Sequence, residues 1–205
     1  TAREMPIGLA RAHVARITYV GELGYELHIP AEHALHVHNE VVEAAREAGI
    51  EFNYGGLKAL ASLRLEKGYR DFGHDMDNTD TLLEVGLGFT ADFNKPDGFV
   101  GKEAVLHQKE TEQKVHKGFR KRLVNCFVPV SRTDKEAHDE NSWVMIYHAE
   151  PIFRDGVCVG DVRVGSYGHT LGGPVGLAHI APAQPEDASA PPVIVNKKYI
   201  TTGKW

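Results

Sequence analysis

Glu22 stands between two glycines in Gly21-Glu22-Leu23-Gly24, and apolar residues alternate on both sides of that segment. Val14, Thr18 and Val20 share one face before it, and Tyr25, Leu27 and Ile29 share one after it. A period of two predicts strands, and the glycine-bracketed turn between them would hold one carboxylate at a hairpin tip. A charge fixed in this way is well placed to read a ligand's hydrogen-bond donors. The plainer alternative is a turn glutamate that only solvates its loop.

Arg64 is the second residue with chemical potential. Leu57, Leu60, Ala61 and Arg64 follow the i, i+3, i+4, i+7 pattern of a helix predicted over residues 57–67 and stopped by Gly68. A guanidinium on an apolar stripe must snorkel, pair with a carboxylate or meet a ligand anion. Pairing with an acid such as Glu66, Asp75 or Glu22 is the preferred reading, because buried charges usually have protein partners.

Other clusters carry less. Residues 75–80, Asp-Met-Asp-Asn-Thr-Asp, have the look of a calcium loop. Asp80 stands where such a loop needs glycine and Gly86 where it needs glutamate, so that reading is rejected. His33, His36 and His38 with Glu40 read as a solvated helix face, since structural zinc wants more compact and more buried ligands. Residues 165–174 are glycine-rich but lack the lysine and following helix of a phosphate loop, which leaves a barrel turn. Ser166, His169 and Asp161 are the residue types of a hydrolytic triad, with nothing in the sequence to fix their geometry.

The elements that must position these residues follow from the same patterning. Leu35, Val41, Val42, Ala45 and Ala48 recur at helical spacing over residues 32–48, with Gly49 at the stop. A further helix is expected over residues 99–117. Strands and helices together indicate an α+β fold in which an antiparallel sheet carries helices on one face. From Lys121 the texture changes to short β-rich runs at 123–128, 144–147, 151–153, 157–164, 175–180 and 193–195. These predict a small all-β barrel-like C-terminal domain, with Arg154-Asp155-Gly156 as its best hairpin turn and residues 131–142 as a surface loop. The boundary is placed near residue 118, which gives domains 1–117 and 118–205.

Composition narrows the function classes. The 205 residues are 42% apolar and 25% charged, which are ordinary globular values. A net charge of −5 gives no bulk attraction for nucleic acid. No apolar run approaches the ~18 residues of a membrane span. Cys126 and Cys158 both lie in apolar strand-like runs and are expected to be buried reduced thiols of an intracellular protein. The chain opens without an initiator methionine, shows no signal peptide and stops on the start of a strand, so it is expected to be a piece of a longer protein.

Four ordered blocks resemble one family. Tyr19-Val20-Gly21-Glu22-Leu23-Gly24-Tyr25-Glu26-Leu27 is similar to the Gly-Glu-x-Gly-aromatic-Glu segment of the folate-binding aminomethyltransferases, the family of the glycine cleavage T-protein. Leu60-Ala61-Ser62-Leu63-Arg64-Leu65-Glu66-Lys67-Gly68-Tyr69-Arg70 resembles its second block, in wording closest to the sarcosine and dimethylglycine dehydrogenase branch. Glu84-Val85-Gly86-Leu87-Gly88-Phe89 and Phe99-Val100-Gly101-Lys102-Glu103-Ala104 continue the match in order.

The resemblance implies that Glu22 recognises the amino-pyrimidinone edge of tetrahydrofolate, a carboxylate accepting two adjacent N–H donors. Tyr19 and Tyr25 would pack against the flat ring, and Arg64 would support the pocket wall. The family's folate-contacting arginine falls on Leu60 here, a departure that speaks against glycine cleavage and is tolerable in the dehydrogenase branch, and a common proline falls on Leu82, which reads as structural drift. The resemblance also implies a parent protein in which a separate FAD domain oxidises an N-methyl amine and the folate domain captures the one-carbon unit. No Gly-x-Gly-x-x-Gly fingerprint opens a helix in this sequence, and the family's catalytic aspartate lies upstream of the matched blocks. The chain is therefore expected to carry no catalytic residue, to be inactive and colourless alone, and to bind folate weakly or not at all. Its expected place is intracellular, in the mitochondrial matrix if eukaryotic and cytoplasmic otherwise, with no nucleic-acid or membrane partner. Two rival readings are a non-catalytic regulatory subunit of the pyruvate dehydrogenase phosphatase type and a stand-alone folate-dependent aminomethyltransferase or demethylase.

Overall fold

The computed structural model describes residues 1–115, 121–127, 146–154, 156–181, 194–195 and 198–199. The chain divides into two units, Thr1–Lys67 and Gly68–Trp205. The predicted surface loop at 131–142, the turn residue Asp155 and the boundary near 118 lie outside the described residues.

The first unit opens with β1 (Ala2–Ile7), β2 (Ala10–Ala15) and β3 (Glu26–His28), an antiparallel sheet in the order β1-β2-β3. β1 was not anticipated as a paired strand. Its register with β2, from Ala2 opposite Ala15 to Ile7 opposite Ala10, makes it an edge strand. After a short 3-10 turn at Ala31–His33 come α1 (Ala34–Glu47) and α2 (Leu57–Glu66), close to their predicted spans. Both helices are followed by a glycine in the left-handed region, Gly49 at φ 66° and Gly68 at φ 69°, a conformation that side chains with a Cβ resist.

Val37 of α1 is buried, as are Ala10 and Ala12 of β2. His36 fixes the β1–β2 turn, its Nε2 accepting the Leu9 amide at 2.9 Å while Nδ1 lies 3.8 Å from Glu40. A purely solvated histidine face is thus corrected for His36, which is a structural acceptor. In α2 the predicted stripe holds at Leu60 and Ala61, which are part-buried, and at Arg64, which is buried beside Ser62 and Leu65, but fails at Leu57, which is 83% exposed. The first turn of the helix stands clear of the core, so periodicity carried the stripe one turn too far.

The second unit is held by a six-stranded antiparallel sheet in the order β4-β7-β6-β5-β8-β9. Its strands are β4 (Arg122–Phe127), β5 (Pro151–Arg154), β6 (Val157–Gly168), β7 (Gly173–Ile180), β8 (Ile194–Val195) and β9 (Lys198–Tyr199), and α3 (Lys102–Val115) precedes them. β7 is buried at every position and lies inside the sheet, paired with β4 on one edge and β6 on the other. Cys126, Ile146, Ile152, Val162, Ala178 and Ile180 form the core cluster. The fold is thus α+β, antiparallel sheets accompanied by helices. β6 runs past its predicted end to Gly168, so most of the glycine-rich segment is strand, and only residues 169–172 turn. The β5–β6 hairpin forms as read, with Arg154 opposite Val157.

The two cysteines part company. Cys126 is buried, and that burial pushes its thiol up to about 12, which keeps it un-ionised and unreactive. Cys158 is exposed, contrary to expectation, because it lies beside the β5–β6 turn, where the strand leaves the core. Both are free thiols.

The Glu84 block forms a buried knot ahead of β4. Thr81 donates its amide to Glu84 Oε2 at 3.0 Å, Glu84 returns its amide to Thr81 Oγ1 at 3.3 Å, and the Glu84 carbonyl accepts the Leu123 amide at 2.8 Å. Next to it Asp80, whose side chain is 3% exposed, meets Lys121 Nζ at 2.8 Å, and His179 Nε2 lies 3.7 Å from the same Asp80 oxygen. Burial pushes Asp80 up, but the Lys121 ammonium and the Asp77 amide outweigh it and hold the carboxyl below its ordinary range. Burial first, and Lys121 second, push His179 below the ordinary 6.5.

A lowered histidine binds fewer protons folded than unfolded, so its contribution to stability is complete above pH 6.5 and is lost as pH falls below it. Urea melts at pH 7.5 and pH 5 are expected to show lower stability in acid, with the difference shrinking in His179→Asn. A pH dependence identical in both proteins would contradict the assignment.

Candidate functional site

Glu22 lies on the connection between β2 and β3. These strands end and begin directly opposite each other, at Ala15 and Glu26, so the connection spans residues 16–25 with its bends at 19–23. The tight hairpin tip expected from alternation is corrected to a longer loop. Alternation through Thr18 and Val20 mimicked a strand, but among the described residues no strand pairs with them, whereas the Arg16 amide is still bonded to Thr1 at 3.0 Å.

Packing within the first unit anchors this loop. Gly21 takes φ 79° and lies against the end of α2 so closely that an added Cβ would sit 2.6 Å from the Lys67 Cβ. Gly21→Ala therefore combines a left-handed backbone with a steric clash, and should destabilise the unit by about 1–3 kcal/mol while displacing Glu22. Amide exchange across residues 16–25 measures it. Protection equal to the parent chain would show that Lys67 does not set the loop.

Glu22 is exposed on this loop, free to reach a ligand. Tyr19 is half-buried and already engaged by other groups of the chain. Tyr25 is 61% exposed and lines a cavity of about 690 Å³ on the sheet face. Arg64 is 3% exposed and held by partners, as expected of a guanidinium on a buried helix face. Glu22, Tyr19 and Tyr25 thus share one connection, and Arg64 belongs to the interior of α2. Sequence reasoning missed Lys67 as the loop's backstop, along with Arg3 and Arg16, which line the cavity beside Tyr25. The signal for Arg3 was present as the period-two run Arg3, Met5, Ile7.

Among the described residues, no group of three His, Cys, Asp or Glu side chains is placed to hold a metal ion. The segment that resembled a calcium loop folds into local turns, with Asp77 Oδ1 accepting from Thr79 and Asp80 Oδ2 accepting the Asp77 amide. Asp161 faces His179 across the β6–β7 pair, while Ser166 faces Val175 farther along, so the triad types are spread along a strand. No helix among the described residues is long and apolar enough to cross a membrane.

The chain is similar to known proteins along most of its length. Residues 1–95 match the GCVT N-terminal domain, and residues 136–200 match the glycine cleavage T-protein C-terminal barrel domain. The chain is 37% identical to a 4-methylaminobutanoate oxidase (formaldehyde-forming) of Paenarthrobacter nicotinovorans, covering 88% of the chain and 20% of that protein. It is 34% identical to the mouse pyruvate dehydrogenase phosphatase regulatory subunit, covering 87% of the chain and 19% of the relative. It is 36% identical to human mitochondrial sarcosine dehydrogenase, covering 93% and 18%. The chain thus spans about a fifth of the length of these curated relatives. The glycine cleavage aminomethyltransferase T of Bartonella henselae shares the fold, with a TM-score of 0.67 at 24% identity over 92% of the chain and 47% of that structure.

Proposed function

The chain belongs to the glycine cleavage T-protein family of aminomethyltransferase-like domains, and from that premise we propose that it supplies part of the tetrahydrofolate site of an N-methyl amine dehydrogenase of the sarcosine or dimethylglycine kind. The observation that carries this reading is the identity to amine-oxidising relatives over 88–93% of the chain, at 36–37%. Within it, Glu22 accepts two N–H bonds from the pterin edge, Tyr25 offers an exposed ring face, and Arg64 stiffens the helix behind the loop. The residues fit such a role, since the carboxylate is exposed and its loop is braced by Gly21 against Lys67. Residues 1–117 form the folate-binding portion and 118–205 the barrel-like domain.

A flavin held elsewhere in the longer protein would accept the electrons released when the N-methyl carbon is oxidised. The present chain's part is to hold the folate that captures the carbon. On this reading the protein works inside the cell, in the mitochondrial matrix if its source is eukaryotic and in the cytoplasm otherwise.

Incubating the intact protein with sarcosine or dimethylglycine and tetrahydrofolate tests this. Methylenetetrahydrofolate is expected as the product, with free formaldehyde rising only when folate is left out. A second reading, a regulatory subunit without amine oxidation, is favoured by the 34% identity to the phosphatase subunit, and absence of substrate-dependent flavin reduction would select it.

A further inference from the structure

Two exposed histidines of the second unit stand side by side with one nitrogen of each already committed. The rings of His74 and His148 are 6.4 Å apart between centroids and tilted by 53°. His74 donates its Nδ1–H to Asp75 Oδ1 at 3.1 Å, and His148 donates its Nδ1–H to the Arg163 carbonyl at 2.6 Å. A carboxylate and a carbonyl only accept, so each neutral ring carries its proton on Nδ1 and its lone pair on Nε2. Among the described residues neither Nε2 has a partner. Both anchors are firm. Asp75 is fully buried, and its second oxygen accepts the Asp71 amide at 2.9 Å, which fixes the turn that carries His74. His148 is followed by Ala149 at φ 65°, rare for a residue with a Cβ, and the Ala149 amide bonds the Val162 carbonyl at 2.7 Å. Arg163 gives its guanidinium to Asp161, 3.4 Å away, so that charge is matched on its own strand.

Imidazoles that ligate metals characteristically donate the other ring N–H to a carboxylate or a backbone carbonyl, which orients the ring and raises the basicity of the ligating nitrogen. His74 and His148 show one of each. Separation alone does not single them out. His13 and His28 are 6.1 Å apart, but there His28 Nε2 faces Glu26 at 3.6 Å, and among the described residues no acceptor holds either Nδ1. We propose that His74 and His148 together bind a divalent transition-metal ion of the zinc type through their Nε2 atoms. An ion about 2.0–2.1 Å from each nitrogen holds the two ring centres roughly 5–6 Å apart, a small side-chain rotation from the observed spacing. Among the described residues no group of three His, Cys, Asp or Glu is placed to hold an ion, so water completes the coordination shell and binding is weaker than at a four-ligand structural site. The bound ion ties the turn at 71–76 to the segment leading into β5. The site uses no residue of the Glu22 loop, so it stands or falls independently of the folate reading.

The test is calorimetric titration of the intact protein with zinc chloride at pH 7.5, paired with thermal melts in the presence and absence of zinc. Saturable binding is expected, with a zinc-dependent rise in melting temperature. His74→Gln and His148→Gln should each weaken zinc binding about tenfold or more and remove that rise. The double variant should lose little beyond either single one, because one imidazole left alone cannot chelate. His13→Gln, which breaks the other close pair, should bind as the parent does. Circular dichroism establishes that each variant is folded. Absence of saturable binding in the parent, full affinity in either folded single variant, losses that add in the double variant, or an equal loss in His13→Gln would each overturn the proposal.

Discussion

Arg64→Met is expected to lower the stability of the first unit by about 3–5 kcal/mol, the range for removing one partner of a buried charged group. The guanidinium is 3% exposed, next in sequence to buried Leu65 and two residues from buried Ser62. At that depth no water replaces what methionine removes, so the groups that hold Arg64 are left without their donor. Methionine matches the arginine stem in volume, which confines the effect to the lost polar interactions rather than a cavity. Arg64→Lys should fall between, because it keeps the charge but loses the planar fork. Urea denaturation followed by circular dichroism measures both. A midpoint for Arg64→Met within error of the parent would show that the guanidinium escapes to water, and Arg64 would then have no part in stiffening the pocket wall.

The sequence was most legible where periodicity and punctuation agree. α1 and α2 were found because apolar spacing, good helix formers and glycine stops coincide, and the β5–β6 hairpin because turn residues separate two short apolar runs. It was least legible where a local pattern depends on a distant partner. The alternation through Thr18 and Val20 looked like strand, but strand length is set by pairing, and β3 begins only at Glu26. Leu57 fitted a stripe, yet burial belongs to the residues that meet the core, and the first turn of α2 does not.

The same limit hid the Asp80, Lys121 and His179 cluster, whose members come from the turn before the Glu84 knot, the residue before β4, and β7. No spacing rule joins them; only the β4–β7 pairing does. For the candidate site, Glu22 and Arg64 were legible as residue types in unusual positions, an acid between glycines and a cation on an apolar stripe. Lys67 was not, because its role is to be contacted by a residue with no side chain.

The folate assignment rests above all on Glu22. Its carboxylate presents two acceptors from a loop that Gly21 presses onto Lys67, so glutamine at this position keeps the shape but replaces one acceptor by a donor. Against a pterin edge that offers two N–H groups, one hydrogen bond is lost and the charge assistance of the other disappears. Calorimetric titration of the intact protein with tetrahydrofolate, parent against Glu22→Gln, measures this directly. Affinity is expected to weaken by about 1–3 kcal/mol, roughly 5- to 150-fold, with unchanged thermal stability in the absence of ligand. Equal affinity in the two proteins would contradict this and remove Glu22 from the folate site.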